Sequence, residues 1–113
     1  MIKRISLLRR LPGASHDEFV DHWTGPHTQI VRSLPGLRGM RLGVVEGVWT
    51  PDGSAPWDGV GELWFDSVGD AQRAFASEQH AARLAVDRPQ FIGAMQAAFV
   101  REITVVEPPA GAA

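Results

Sequence analysis

The sequence predicts an α+β domain in which one antiparallel sheet carries its helices on a single face. Three observations predict it. Period-two alternation marks strands at 2–10 and 58–65. Helical spacing of apolar residues marks two segments, each opening on a residue suited to capping. Turn pairs such as Pro12-Gly13 and Pro35-Gly36 separate these runs. The resulting order, β-α-β-β-α-β, is the ferredoxin-like βαββαβ arrangement with a four-stranded antiparallel sheet.

In chain order, residues 2–10 place Ile5 and Leu7 on one strand face and Arg4, Ser6 and Leu8 on the other. Ser15 with Glu18 forms a capping box that starts a helix near residue 16. Phe19, Trp23, His27, Ile30, Val31 and Leu34 then recur at steps of three and four, defining one inward stripe. Pro26 lacks an amide hydrogen, so a kink or restart is expected at Thr24-Gly25-Pro26, with His27 in the first turn of a second segment. Residues 37–49 form a long strand-like run, and TPDGSAPW forms a loop. In the strand from Asp58 to Phe65, Val60, Glu62 and Trp64 face one way, and Gly61, Leu63 and Phe65 the other. Asp66 or Ser67 caps a helix to about Ser77, burying Val68, Ala71 and Phe75, with a short continuation from His80 to Val86. Pro89 to Ala94 is expected to connect to a last strand from Phe99 to Val106, rich in β-branched residues.

With 113 residues the chain holds one domain, 1–107, and a small-residue tail, 108–113, expected to be disordered. The net charge of −2 argues against a nucleic-acid partner. The absence of cysteine excludes disulfides, thiolate metal sites and a cysteine nucleophile. Charges interrupt the apolar start MIKRISLLRR, so neither a signal peptide nor a membrane span is expected, and a cytoplasmic location follows. A sheet covered on one face leaves Trp64 and its neighbours bare. Pairing of two such faces in a homodimer is expected, with Glu62 and Arg4 able to pair across the seam.

His27 is the leading chemical candidate: a titratable ring on the buried stripe. Partial burial and a nearby helix N-terminus both favour neutral imidazole, able to accept a proton near neutral pH. The alternative is a core histidine bonded to a backbone carbonyl. His22, Asp17 and Asp21 fall away from the stripe and are expected at the surface, and His80 caps a helix end. Arg41 and Glu62 are further acid/base candidates, although strand parity puts both on the dimer face. No metal-ligand spacing, phosphate-cradling loop or GxSxG elbow occurs, so neither metal nor cofactor is expected. The glycines at 39, 43, 59, 61 and 93 are expected to leave room beneath the helices. With Met40, Leu42, Leu63, Phe65 and Phe91 they point to an apolar small-molecule pocket, with Trp23 as a wall.

Phe19 with His22-Trp23 and His27, then LPGLRGMRL, WDGVGELWFDS and the F-I-G run at Phe91, resembles the EthD domain family of the dimeric α+β barrel superfamily. The resemblance spans nearly the whole chain. It implies a sheet-to-sheet homodimer with a pocket in each subunit. SHDEF, GELWF and FVREI are similar to the methylmuconolactone methylisomerase branch, which works without metal or organic cofactor and whose essential histidine matches His27. That branch's functional tyrosine and cysteine fall at Met40 and Leu63, so only the histidine carries over. The expected activity is a cofactor-free lyase, isomerase or cyclase acting on a small hydrophobic, aromatic or lactone-like metabolite. His27 would be the acid/base, and Trp23, Met40, Leu63, Phe65 and Phe91 would contact the substrate. The rival readings are a non-catalytic binding or accessory protein and a cofactor-free monooxygenase of a polyketide-like phenol.

Overall fold

The computed structural model describes residues 1–54 and 56–110. Strand β1 (Ile2–Arg10) leads to helix α1 (His16–His22), a π-turn (Trp23–His27) and helix α2 (Thr28–Val31). Strands β2 (Gly39–Val44) and β3 (Gly59–Phe65) follow, then helices α3 (Val68–Ala76) and α4 (Glu78–Asp87), a 3₁₀ turn (Arg88–Gln90) and strand β4 (Ile92–Val100). The sheet is antiparallel, in the order β2-β3-β1-β4. This is the predicted ferredoxin-like α+β fold.

Local chemistry sets the helix starts. The Ser15 hydroxyl accepts from the Glu18 amide at 3.0 Å, and the Glu18 carboxylate accepts from the Ser15 amide at 3.1 Å. Ser67 accepts from the Asp70 amide at 3.0 Å and so starts α3. All six residues of the predicted stripe are buried. Phe19, Trp23 and Phe65 are almost wholly removed from water. Each contributes roughly 1.5–3 kcal/mol by burial.

Two core clusters form under the helices. One gathers Ile30, Val31, Leu34, Leu63, Phe65, Ala71, Ala74 and Leu84; the other gathers Leu8, Phe19, Trp23 and Phe91. The opposite face shows Ile5, Leu7, Val60 and Trp64 half-buried, as strand parity required.

Four expectations change. The helix does not break and restart at Pro26; it widens into a π-turn, in which i→i+5 spacing absorbs the missing amide hydrogen. Thr28 donates its hydroxyl to the Trp23 carbonyl at 2.8 Å, supporting the widened turn. His27 therefore sits inside a continuous helix, and the helix N-terminus gives no account of its charge state. β4 begins at Ile92 and ends at Val100, so residues 101–106 are not a strand. Pairing with β1 overrode the weak β-propensity of an alanine-rich run. The long run at 37–49 pairs only over Gly39–Val44. Finally, Arg4 points to the helical side, against Phe75, and not to the sheet face where a seam pair with Glu62 was expected; within the chain Glu62 lies 2.9 Å from Lys3. Of the predicted tail, 108–110 are exposed and 111–113 lie outside the described residues.

Candidate active site

The π-turn decides which side chains meet. Five α-helical residues would set His22 and His27 about 140° apart. A turn closed by i→i+5 bonding rotates less per residue, so the same span ends closer to one whole revolution, bringing both rings to one side. There they share Asp87, the last residue of α4. His22 Nε2 lies 2.7 Å from Asp87 Oδ1, and His27 Nδ1 lies 2.7 Å from Asp87 Oδ2. Phe91 packs on both rings, stacked on His22 at 4.5 Å and tilted against His27 at 4.9 Å.

Protonation follows from this geometry. A carboxylate only accepts, so His27 donates through Nδ1–H. In the neutral ring Nε2 is then the bare acceptor, and no described residue bonds to it. Burial pulls His27 below the ordinary imidazole value, aided by the nearby Arg88 and His22, and this outweighs the attraction of Asp87. Burial pushes Asp87 up, but the two imidazole donors overcome it and hold the carboxyl below its ordinary value. The arrangement is a neutral imidazole base, oriented by an ionised aspartate.

A cavity of about 30 Å³ lies between the two core clusters, with His27, Trp23, Met40 and Leu63 in its wall. Ser6, Leu8, Val31, Leu42, Gly61 and Met95 also line it, and Arg4, Phe75 and Arg88 complete it. Those last three residues also line an outer groove of about 430 Å³ with Gln72, Ala81, Leu84, Ala85 and Phe99. The groove exists because the helices leave the edge strand β4 uncovered: Met95 and Phe99, on the helical side of that strand, are 37% and 39% exposed. The inner chamber has the volume of about one water, and the groove has that of a small organic molecule.

Not every predicted wall residue reaches this space. Phe65 is wholly buried in the larger core cluster, and Phe91 is spent on the two imidazoles. Nor do the strand glycines generally leave room. A Cβ on Gly59 would lie 2.4 Å from the Trp23 ring, and one on Gly93 would lie 2.4 Å from the Arg10 carbonyl oxygen. Gly61 alone of the five lines the cavity, beside the Ser6 hydroxyl. Arg41 and Glu62 pair across β2 and β3 on the far face of the sheet.

Sequence reasoning missed Asp87 and expected His22 at the surface. His22 is half-buried and part of the cluster. One signal was present for Asp87: a carboxylate in the last turn of a helix opposes the helix dipole and needs an offsetting partner. A second buried carboxylate, Asp58, accepts from the Arg10 amide at 2.8 Å and lies 2.8 Å from His16 Nδ1. It pins the start of α1 to the sheet. Among the described residues no group of three metal-ligating side chains is arranged to hold a metal ion, and no helix is long and apolar enough to cross a membrane.

Residues 11–94 match the family model described as EthD domain. An ethyl tert-butyl ether D (EthD) family protein from Bacillus halodurans C-125 superposes with a TM-score of 0.73 at 25% identity, over 91% of this chain and 99% of that one. A hydroxynitrile lyase from Passiflora edulis gives 0.68 at 17% identity, over 95% and 96% of the two chains. A dimeric ferredoxin-like protein of unknown function from Thermobifida fusca YX gives 0.61 at 16% identity, over 88% of each chain. The last two share the fold. No curated protein matches the chain.

Proposed function

The chain belongs to the EthD domain family, and from that premise we propose that it is a cofactor-independent acid/base enzyme. It removes or relays a proton on a small, largely hydrophobic substrate in a lyase, isomerase or cyclase reaction. One observation carries the reading: His27 is fixed through Nδ1 on an ionised carboxylate at 2.7 Å, while its ring lines the internal cavity. An imidazole held in one tautomer, with its free nitrogen unbonded, is poised to accept a proton.

The substrate body lies in the outer groove, and its reacting end enters the inner chamber past Phe75 and the two arginines. Trp23, Met40, Leu42 and Leu63 exclude water around that end. Asp87 keeps the tautomer and stabilises the imidazolium that forms. The returning proton comes from the same Nε2, so one group serves as base and then acid. A lyase with this fold, the Passiflora edulis enzyme, supports the reaction class. Two copies pair through the half-buried sheet face bearing Ile5, Leu7, Val60 and Trp64. The dimeric Thermobifida fusca protein of the same fold supports that assembly.

The test is thermal shift of wild type and His27→Ala against lactones, phenolic acids and anthrone-like compounds, with each mixture then assayed for product. A compound that stabilises both proteins but is converted only by wild type supports the reading. Equal stabilisation with no product from either protein makes this a binding or accessory protein instead.

A further inference from the structure

Two guanidinium groups border both the groove and the chamber, and neither is bonded to a carboxylate. Arg4 reaches in from β1, and Arg88 from the turn after α4. Their guanidinium carbons lie 4.6 and 6.0 Å from the centre of the Phe75 ring. Both residues are half-buried, and both line the inner chamber as well as the outer groove. Among the described residues neither side chain makes a hydrogen bond or salt bridge.

Carboxylates on the neighbouring elements are bonded elsewhere. Asp87 spends its two oxygens on His22 and His27. Asp70 is held by Arg73, while Glu62 and Glu102 are held by Lys3 on the far face of the sheet. None of the residues lining either space is acidic. Burial pulls both guanidinium groups below their ordinary values; Arg88 also repels Arg4, and the attraction of Asp87 for Arg88 does not offset burial. Two partly desolvated cations facing one apolar passage, in a chain whose net charge is −2, are costly unless an anion joins them.

We propose that Arg4 and Arg88 form an oxyanion subsite, so that the ligand of this pocket is a small hydrophobic molecule bearing a carboxylate or phosphate-type group. The planar guanidinium fork binds such oxygens in paired, charge-assisted hydrogen bonds. Phe75 supplies an apolar surface between the anion and the ligand body. The inference rests on the acid/base reading only for the location of the reacting end: an oxyanion held by the two arginines leaves the atom beside it at the chamber that His27 lines. The bound anion also cancels part of the Arg88 field that disfavours imidazolium, so binding raises the His27 titration midpoint.

The test uses the intact protein and three probes of one shape: phenylacetate, benzylphosphonate and neutral phenylacetamide. Affinity is measured by calorimetry, and the His27 ring is followed by NMR. One or both anions should bind at least about tenfold more tightly than the amide. The tighter anion identifies the oxyanion class. Arg4→Met and Arg88→Met should each remove most of that preference, and Arg88→Lys should restore part of it. Equal binding of amide and anions by wild type overturns the proposal whether or not the variants fold. A preference that survives both methionine substitutions, or no binding by any probe, overturns it as well. Anion binding by wild type and by His27→Gln, with no turnover of any anionic compound, sinks the acid/base reading and leaves the oxyanion subsite standing.

Discussion

Asp87 Oδ2 lies 2.7 Å from His27 Nδ1, joining the last residue of one helix to the middle of another sixty positions away. The bond fixes the tautomer of the one imidazole among the described residues that is both buried and in the cavity wall. Asp87→Asn retains the size and removes the charge. It should lower kcat on a true substrate by about 10²-fold or more while KM moves little, since the amide offers His27 no fixed acceptor. An unchanged kcat would reduce Asp87 to a packing role.

His27 itself should account for most of the rate. His27→Gln should cost about 10²–10⁴-fold in kcat/KM while the far-ultraviolet circular dichroism stays that of wild type. Full activity in this variant would end the assignment of His27 as the base.

The pH dependence has a definite sign. The folded His27 titrates below the ordinary imidazole value, because burial outweighs Asp87. As pH falls, the unfolded chain takes up this proton first, near about 6.5. The stability linked to His27 is therefore fully present above that pH and is lost as pH falls towards the folded value. The base form, and with it activity, should persist into mildly acidic solution. NMR titration of the His27 ring checks this, and a midpoint above that of free imidazole would show that Asp87 wins over burial.

The Trp23 ring passes over Gly59 so closely that an added Cβ would lie 2.4 and 2.6 Å from two of its carbons. The ring is buried in the smaller core cluster, so relieving the contact means displacing it. Gly59→Ala should cost about 1–3 kcal/mol by overpacking, visible as a lower urea midpoint with an unchanged slope. Because Trp23 lines the cavity, ligand affinity should fall in parallel.

Assembly is open to a direct check. Light scattering should give twice the chain mass of 12.3 kDa. Ile5→Glu, on the half-buried sheet face, should shift the species to monomer. A wild-type monomer at micromolar concentration would remove the sheet-to-sheet pairing.

The inward stripe, both serine caps and the parity of β1 and β3 were legible because each rests on a local period or a side chain bonding its own backbone. The last strand was misplaced because the β-branched residues at 103–106 carry the stronger propensity, while β4 was chosen by its partner β1. The cavity needed both core clusters in place, since it is the gap between them.

The sequence by itself determined the α+β order, the helix starts and the burial of His27, because these follow from spacing and capping along one chain. The tertiary structure alone decided what His27 does with its ring. Pro26 signalled an irregular helix, but a proline permits a kink, a break or a widened turn, and only packing against the sheet and α4 selects among them. The π-turn that resulted carried His22 and His27 onto one carboxylate, and the return of the chain through Arg88 set a cation beside them. Such contacts span sixty residues, and no local period encodes them.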